Sequence, residues 1–210
     1  MSYKFKTRSR LHSPEEGYDL YVDEYGGAKN YEFLNSFEGN KLERFLGDLK
    51  DKKALDVGCG TGRLIRTLRD NGADVSAIDI SSAMMKKVLK RWPDMRAVKG
   101  DIEQIPFESE AFDVVVAAFV IVHLKDLVRA FEECCRVLKP GGIFVVTNIN
   151  QRRAPKLEVK GKSLVIESYY HLPKHMIEAL ENAGFAIEKE EFVYNGDVWI
   201  NQIVRARKLL

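Results

Sequence analysis

The segment Leu55-Asp56-Val57-Gly58-Cys59-Gly60-Thr61-Gly62-Arg63 carries residue types that bring a small ligand against a protein backbone. Glycines permit a sharp turn and close approach of a ligand to the main chain. The apolar run before them reads as a buried strand, and the periodic stretch Arg63–Asn71 after them reads as a helix. The loop would therefore present the unpaired N–H groups of a helix N-terminus. Asp79 follows Gly58 by 21 residues and ends a second apolar run; Asp101 follows Gly100 just after a third. In a doubly wound sheet, ligands bind beyond the carboxyl ends of the strands, where Asp56, Asp79 and Asp101 would all fall. An acid at the Asp79 position accepts hydrogen bonds from ribose hydroxyls. Each aspartate alone could be a cap or turn residue. Three of them behind one glycine-rich turn point to a nucleoside-like ligand.

The charge pattern narrows that ligand. A dinucleotide loop reads G-x-G-x-x-G, but here the glycines run G-x-G-x-G and Arg63 stands where the third glycine would be. Asp56 precedes the loop, and a carboxylate beside a pyrophosphate is repulsive. A ligand with an amino group and no phosphate suits it better.

The remaining elements must position this loop. Residues 14–50 place Tyr18, Tyr21, Tyr25, Tyr31, Phe33, Phe37, Leu42, Phe45, Leu46 and Leu49 at mixed helical spacings, which predicts one or two amphipathic helices broken near Gly26-Gly27 and Gly39. Strands are expected at 54–57, 75–80, 95–99, 112–119 and 143–149, with helices between them at 63–71, from Ser81 as N-cap to Lys90, and at 126–138, where Pro140-Gly141-Gly142 follows as the stop. Strands alternating with helices imply βαβ units and a parallel sheet. Beyond residue 150 the reading is a helix at 174–182, then two strands at 186–193 and 199–207. Asn195-Gly196-Asp197 joins these as a hairpin turn, so they are expected to be antiparallel.

Composition sets the outer bounds. The 210 residues are 45% apolar and 30% charged, enough for one domain with its own core. Thirty-three basic against 31 acidic residues leave +2, which argues against a dedicated polyanion-coating protein. The three cysteines, Cys59, Cys134 and Cys135, have no zinc-ligand or C-x-x-C spacing, so no metal site and a reducing compartment are expected. MSYKFKTRSR lacks an apolar signal region, and the longest apolar run, 114–122, is nine residues. No membrane span and a cytoplasmic location are the expectation.

With the motifs in place, LDVGCGTG resembles motif I of the class I S-adenosylmethionine-dependent methyltransferases. The acid in VSAIDIS, the stretch GDIEQIPFESEAFDVVV and RVLKPGG arrive in the family's order across about residues 53–150, half the chain. The chain is similar to the small-molecule subgroup that includes quinone-biosynthesis methyltransferases. The resemblance implies an α/β fold with a doubly wound, seven-stranded, mostly parallel sheet of order 3-2-1-4-5-7-6, the last strand antiparallel. Residues 1–50 would be a tail and helical cap or lid, and 51–210 a Rossmann-like domain with a substrate-side insertion at about 151–172. The implied cofactor is S-adenosyl-L-methionine, with S-adenosyl-L-homocysteine as product.

Roles carry over by position. Asp56 would organise the loop near the ligand's amino group, with Gly58, Cys59 and Gly60 forming the turn that packs on the methionine part and ribose. Asp79 would bind the ribose hydroxyls and Ile80 the adenine. Asp101 would accept from the adenine amino group, with Ile102 beside it. Ala118 and Phe119 would face the sulfonium, and Tyr18, Tyr21 or Tyr25 would close over the ligand. In-line methyl transfer to O, N or C of a small acceptor is the implied reaction. His123, Tyr25, Tyr170 and His171 are candidates for a general base. Residues 151–162 hold five basic residues and one acid, which raises an anionic acceptor as an option. A nucleic-acid acceptor is disfavoured: AAFV after the fourth strand lacks the signature for methylating exocyclic base amines, and no cysteine is placed to attack a pyrimidine. An RNA methyltransferase of another type and a non-catalytic cofactor-binding partner subunit remain as alternatives. The chain is expected to be a monomer or homodimer.

Overall fold

The computed structural model describes residues 10–38 and 41–210. Most of the basic N-terminal tail and the expected break at Gly39 lie outside the described residues.

In chain order the elements are β1 (Leu11–His12), α1 (Pro14–Tyr25), α2 (Ala28–Glu38), α3 (Leu42–Leu46), β2 (Lys53–Val57), α4 (Arg63–Asp70), β3 (Asp74–Asp79), α5 (Ser82–Arg91), β4 (Arg96–Lys99) and β5 (Phe112–Ala117). There follow α6 (Val128–Val137), β6 (Leu138–Ile149), β7 (Lys156–Val159), β8 (Lys162–Ile166), α7 (Pro173–Asn182), β9 (Phe185–Asn195) and β10 (Val198–Lys208). A short 3-10 turn, Ile121–His123, follows β5.

Seven strands form one sheet in the order β4-β3-β2-β5-β6-β10-β9. β10 runs antiparallel to both its neighbours, and the other pairs are parallel. This is the expected topology, the antiparallel hairpin at the chain's end included. The sheet is covered on both faces, as its unbroken apolar strands require. Leu55 and Val57 of β2, Val115 and Ala117 of β5, and Phe144 and Val146 of β6 pack with Phe131 of α6 and Met176 and Leu180 of α7. The alternate residues Ala54, Val114, Val116, Ile143 and Val145 pack on the other face with Ile65 and Leu68 of α4, Val88 of α5, and Leu42, Phe45 and Leu46 of α3. The period of two in each strand thus sorts the side chains into two cores.

Two regions differ from the sequence reading. β6 begins at Leu138, five residues before the expected start, because Leu138 pairs with Phe112 ahead of a register shift. Pro140-Gly141-Gly142 is absorbed as an irregularity within the strand, with Gly141 at φ 71°. The basic segment expected as a loop is in part a hairpin of β7 and β8, turned at Lys160 (φ 50°) and Gly161 (φ 74°), both left-handed as a tight hairpin requires. β1 adds to β8 in parallel and completes a three-stranded sheet.

α1 bridges this small sheet and the main domain. Its first turn is capped by Ser13, whose hydroxyl accepts from the Glu16 N–H at 3.2 Å. Gly17 lets it lie against β8: a Cβ there would sit 2.5 Å from Ile166 Cγ1. On the other side Asp19 accepts from the Ser81 hydroxyl at 2.6 Å and from the Ala83 N–H at 2.9 Å, anchoring α1 to the first turn of α5.

Candidate functional site

The carboxyl ends of β2, β3, β4 and β5 meet α1 around a cleft of about 220 Å3. Behind β2 the chain reverses through Gly58 (φ 66°) and Gly60 (φ 55°). A Cβ on Gly58 would lie 2.3 Å from Val120 Cγ2, and one on Gly60 2.9 Å from the Tyr25 ring, so both glycines are required by conformation and by space. The Gly58 and Cys59 N–H groups both donate to the Ile78 carbonyl, at 2.9 and 3.0 Å.

Asp79 fixes the loop from the neighbouring strand. Its carboxylate accepts from the Gly60 N–H and the Ser81 N–H, each at 2.8 Å. Burial pushes its pKa up against the pull of those two hydrogen bonds. Each oxygen keeps a second lone pair for hydroxyl donors. Asp101 accepts from the Glu103 N–H at 2.9 Å and borders the cleft with Ile102.

Tyr18, Gly58, Gly60, Asp79, Ile80, Asp101, Ile102, Ala118 and Phe119 all line this cleft, and the base candidates Tyr25 and His123 join them. Asp56 and Cys59 lie one layer deeper, on a recess of about 20 Å3 behind the loop. One Asp56 oxygen, Oδ2, is buried with no hydrogen-bond partner. Desolvation dominates its titration, and Asp79 and Glu38 add to it against the opposing pull of Arg63, so that its pKa rises from 3.8 to about 7. The Cys59 thiol is likewise pushed up by burial, which makes it inert.

A second chamber of about 160 Å3 opens beside the cleft and shares Tyr18, Tyr25, Phe119 and His123 with it. Its other walls are mostly apolar and aromatic: Phe33, Leu34 and Phe37 from α2, Tyr21 from α1, and Pro155, Leu157 and Ile166 from the small sheet and the segment leading to it, with Gln151 and Ser168 as the uncharged polar side chains. Phe119 stands at the junction with φ 64°, a left-handed conformation rare for a bulky residue, and its N–H is held by Thr147 Oγ1 at 2.9 Å.

Three expectations are corrected here. Tyr170 lines neither cavity and instead lies under the Arg152 guanidinium, 5.3 Å from ring centroid to cation. His171 lies within hydrogen-bond distance of the Ile121 and Leu124 carbonyls through Nε2, at 3.1 and 2.9 Å. Carbonyls only accept, so Nε2 carries the proton, and His171 lines neither cavity. Finally, no lysine or arginine lines the chamber among the described residues. Arg152, Arg153, Lys156, Lys160 and Lys162 are exposed, and their segment contributes Gln151, Pro155 and Leu157 to the wall instead.

Sequence reasoning also missed how the cap is fastened. Arg63, itself half-buried, makes a two-pronged bridge to the buried Glu38 of α2, at 2.6 and 2.8 Å. Burial pulls the guanidinium's pKa down, but the carboxylate beside it wins and holds it charged. Tyr31 of α2 hydrogen-bonds Thr61 of the glycine loop at 2.7 Å. The residue that breaks the dinucleotide pattern therefore ties the cap to the loop. Its basic type was a signal; its partner, 25 residues upstream, was not marked.

Comparisons with known proteins place the fold and the family. Residues 55–146 match the methyltransferase-domain family. The chain is 33% identical over 180 residues to a demethylmenaquinone methyltransferase of Staphylococcus aureus, covering 79% of this chain and 70% of that one. It is 31% identical over 133 residues to a malonyl-[acyl-carrier protein] O-methyltransferase of Enterobacter lignolyticus, covering 62% of this chain and 53% of the relative. The chain thus spans about half the length of the latter. Among solved structures, an S-adenosylmethionine-dependent methyltransferase of Mesorhizobium loti superposes with a TM-score of 0.68 at 20% identity, over 82% of this chain and 98% of that one. The magnesium protoporphyrin IX methyltransferase of Synechocystis gives 0.69 at 18%, over 91% of each. The fold is that of a class I Rossmann-like methyltransferase. The chain belongs to the S-adenosylmethionine-dependent methyltransferase family. Among the described residues no helix is long and apolar enough to cross a membrane.

Proposed function

We propose that this chain binds S-adenosylmethionine in the β2–β5 cleft and transfers its methyl group to a small, largely apolar acceptor held in the adjoining chamber. The observation that carries the reading is the shared wall: Tyr18, Tyr25, Phe119 and His123 border both spaces, so a methyl donor in one faces an acceptor in the other.

The residues present fit that cofactor. The buried, unpartnered Asp56 Oδ2 is an acceptor waiting for a cationic donor, which an α-amino group supplies directly or through a water. Asp79 offers lone pairs to two ribose hydroxyls, and Gly58 and Gly60 leave the room that a Cβ would fill. Asp101, Ile80 and Ile102 border the end of the cleft suited to a purine. When bound, the cofactor supplies an electrophilic methyl on a sulfonium. The protein's part is to hold the acceptor in line with that methyl and to exclude water beneath α1 and α2. The Arg63–Glu38 and Tyr31–Thr61 contacts hold α2 closed over the loop, and Asp19 holds α1 on α5.

The chamber's composition favours an apolar ring over an anion, because a buried anion without a paired cation is costly. The Staphylococcus aureus relative's name gives a quinone as its substrate, which agrees with that preference. The test is product formation. The protein, S-adenosylmethionine and a series of hydroxylated naphthalenes and their carboxylated analogues are incubated together, and S-adenosylhomocysteine is quantified. Acceptor-dependent product with the uncharged rings supports the reading. Product with the carboxylates alone would overturn the apolar acceptor, and none with any acceptor the transfer itself.

A further inference from the structure

Tyr18 and His123 form a pair that the cofactor-binding role of Tyr18 does not use. The Tyr18 hydroxyl lies 2.8 Å from His123 Nε2, and His123 Nδ1 lies 2.7 Å from the Glu167 carbonyl oxygen. The carbonyl can only accept, so Nδ1 carries the hydrogen and a neutral His123 presents a lone pair at Nε2. The Tyr18 hydroxyl is then the donor, which leaves its own lone pairs to accept a proton. Both residues line both spaces. Among the described residues, no carboxylate or amine lines the chamber that could take a proton instead.

We propose that Tyr18 is the catalytic base for a hydroxyl acceptor and that it works as a relay, handing its own proton to His123 as it accepts the acceptor's. The proposal rests on the methyltransferase reading above. In the step, the acceptor O–H bond breaks toward Tyr18 Oη while the Tyr18 O–H bond breaks toward His123 Nε2. The acceptor oxygen's freed pair forms the new bond to the methyl carbon, and the carbon–sulfur pair stays on sulfur. One positive charge leaves the sulfonium and one appears on the imidazolium, so the site's net charge is constant and little charge reorganisation opposes the step. The imidazolium returns its proton to water after product leaves.

Electrostatics make the relay necessary. Burial, reinforced by Tyr25, Asp79 and Tyr21, holds the Tyr18 hydroxyl well above the usual tyrosine range, so a free phenolate is out of reach. Burial holds His123 below 6.5 against the pull of the Glu167 carbonyl, so it is neutral at pH 7 and ready to accept. The titratable groups facing the pair are Tyr21 and Tyr25 of α1, Asp79 at the end of β3, Asp101 and Glu103 after β4, and Glu167 after β8. The Glu167 carboxylate is engaged by the Tyr169 hydroxyl. Because neutral His123 is the active form, kcat falls as pH drops through its lowered pKa and is flat above it.

The test has two arms. With 1-naphthol and 1,4-dihydroxynaphthalene as acceptors, Tyr18→Phe and His123→Gln are expected to lower kcat about 100-fold or more and to abolish the acid limb. The KM for S-adenosylmethionine should move by less than about threefold, since the contribution of a positioned base is 10²–10⁴-fold. In the second arm the protein alone, labelled with ¹⁵N-histidine, is observed by NMR. His123 should appear as the neutral Nδ1–H form at pH 7, with its Nε2 signal displaced in Tyr18→Phe. Native kcat in Tyr18→Phe, or a charged or Nε2–H His123, overturns the relay alone. S-adenosylmethionine bound but no transfer to either naphthol also overturns it. Failure of the unaltered protein to bind S-adenosylmethionine overturns the methyltransferase reading from which the relay follows.

Discussion

Asp56→Asn should change stability in opposite directions at low and high pH. The Asp56 carboxyl is buried and lacks a partner at Oδ2, and desolvation raises its pKa from 3.8 to about 7. The sign follows from linkage. Between those values the folded chain keeps the proton that the unfolded chain has released, so stability falls as pH rises from about 4 to 7 and the loss is complete above that. At ~1.4 kcal/mol per pH unit, three units amount to about 4 kcal/mol that the empty protein loses by carrying this carboxylate at pH 8. Asparagine keeps the shape and removes the charge, but leaves an amide underpaired at a cost of about 1–3 kcal/mol. The net expectation is a gain of about 1–3 kcal/mol at pH 8, a change within about 1.5 kcal/mol of zero at pH 5, and a loss approaching about 1–3 kcal/mol below pH 4. In a chain of this length each kcal/mol moves the melting temperature by about 2–4 °C. Thermal unfolding of both proteins without ligand, from pH 3.5 to 8.5, reads this directly. The curves of Tm against pH should cross between about pH 4.5 and 6. Parallel curves would refute the assignment of Asp56 as a strained, uncompensated carboxyl. The same substitution should weaken S-adenosylmethionine binding at least tenfold, because it removes the negative charge offered to the amino group.

Three further outcomes follow from the site. Gly58→Ala places a Cβ 2.3 Å from Val120 in a left-handed conformation, so S-adenosylmethionine binding by calorimetry should fall at least tenfold and Tm should drop. Glu38→Gln leaves the half-buried Arg63 charge without its counter-ion; a cost of about 2 kcal/mol is expected, a fall of roughly 4–8 °C in thermal unfolding. Leu157→Asp should raise the KM for an uncharged naphthol several-fold by placing a charge in the chamber wall, whereas the double change Arg152→Ala, Arg153→Ala on the exposed face should leave it within about twofold.

The parts of this site that sequence reasoning reached are those written in short, contiguous code. Asp79 ends β3, and the glycine turn and Asp101 start one and two residues past a strand end; the parallel sheet brings strand ends together wherever strands alternate with helices. Asp56 was legible as an acid before the loop, but not as an orphan, since its partners depend on what α2 and Arg63 do above it. The cap fastening was hidden because Glu38 and Arg63, or Tyr31 and Thr61, are 25 and 30 residues apart with no periodicity relating them. The β7–β8 hairpin carried a readable signal: Lys156-Leu157-Glu158-Val159 alternates, and Lys160-Gly161 is a turn. Its surplus of positive charge drew the reading toward an anion-binding loop. The alternation puts Leu157 in the chamber wall and leaves the lysines exposed, which removes the argument for an anionic acceptor. Tyr170 and His171 misled for a related reason: both types can do acid–base chemistry, but one is held under Arg152 and the other by two backbone carbonyls.

The central claim is that the β2–β5 cleft holds S-adenosylmethionine. Calorimetric titration of the unaltered protein with S-adenosylmethionine, and separately with NAD, tests it most directly. Saturable one-to-one binding of S-adenosylmethionine, lost in Asp79→Ala, and no heat of binding with NAD are expected. Binding of NAD instead, or S-adenosylmethionine binding indifferent to Asp79, would contradict it.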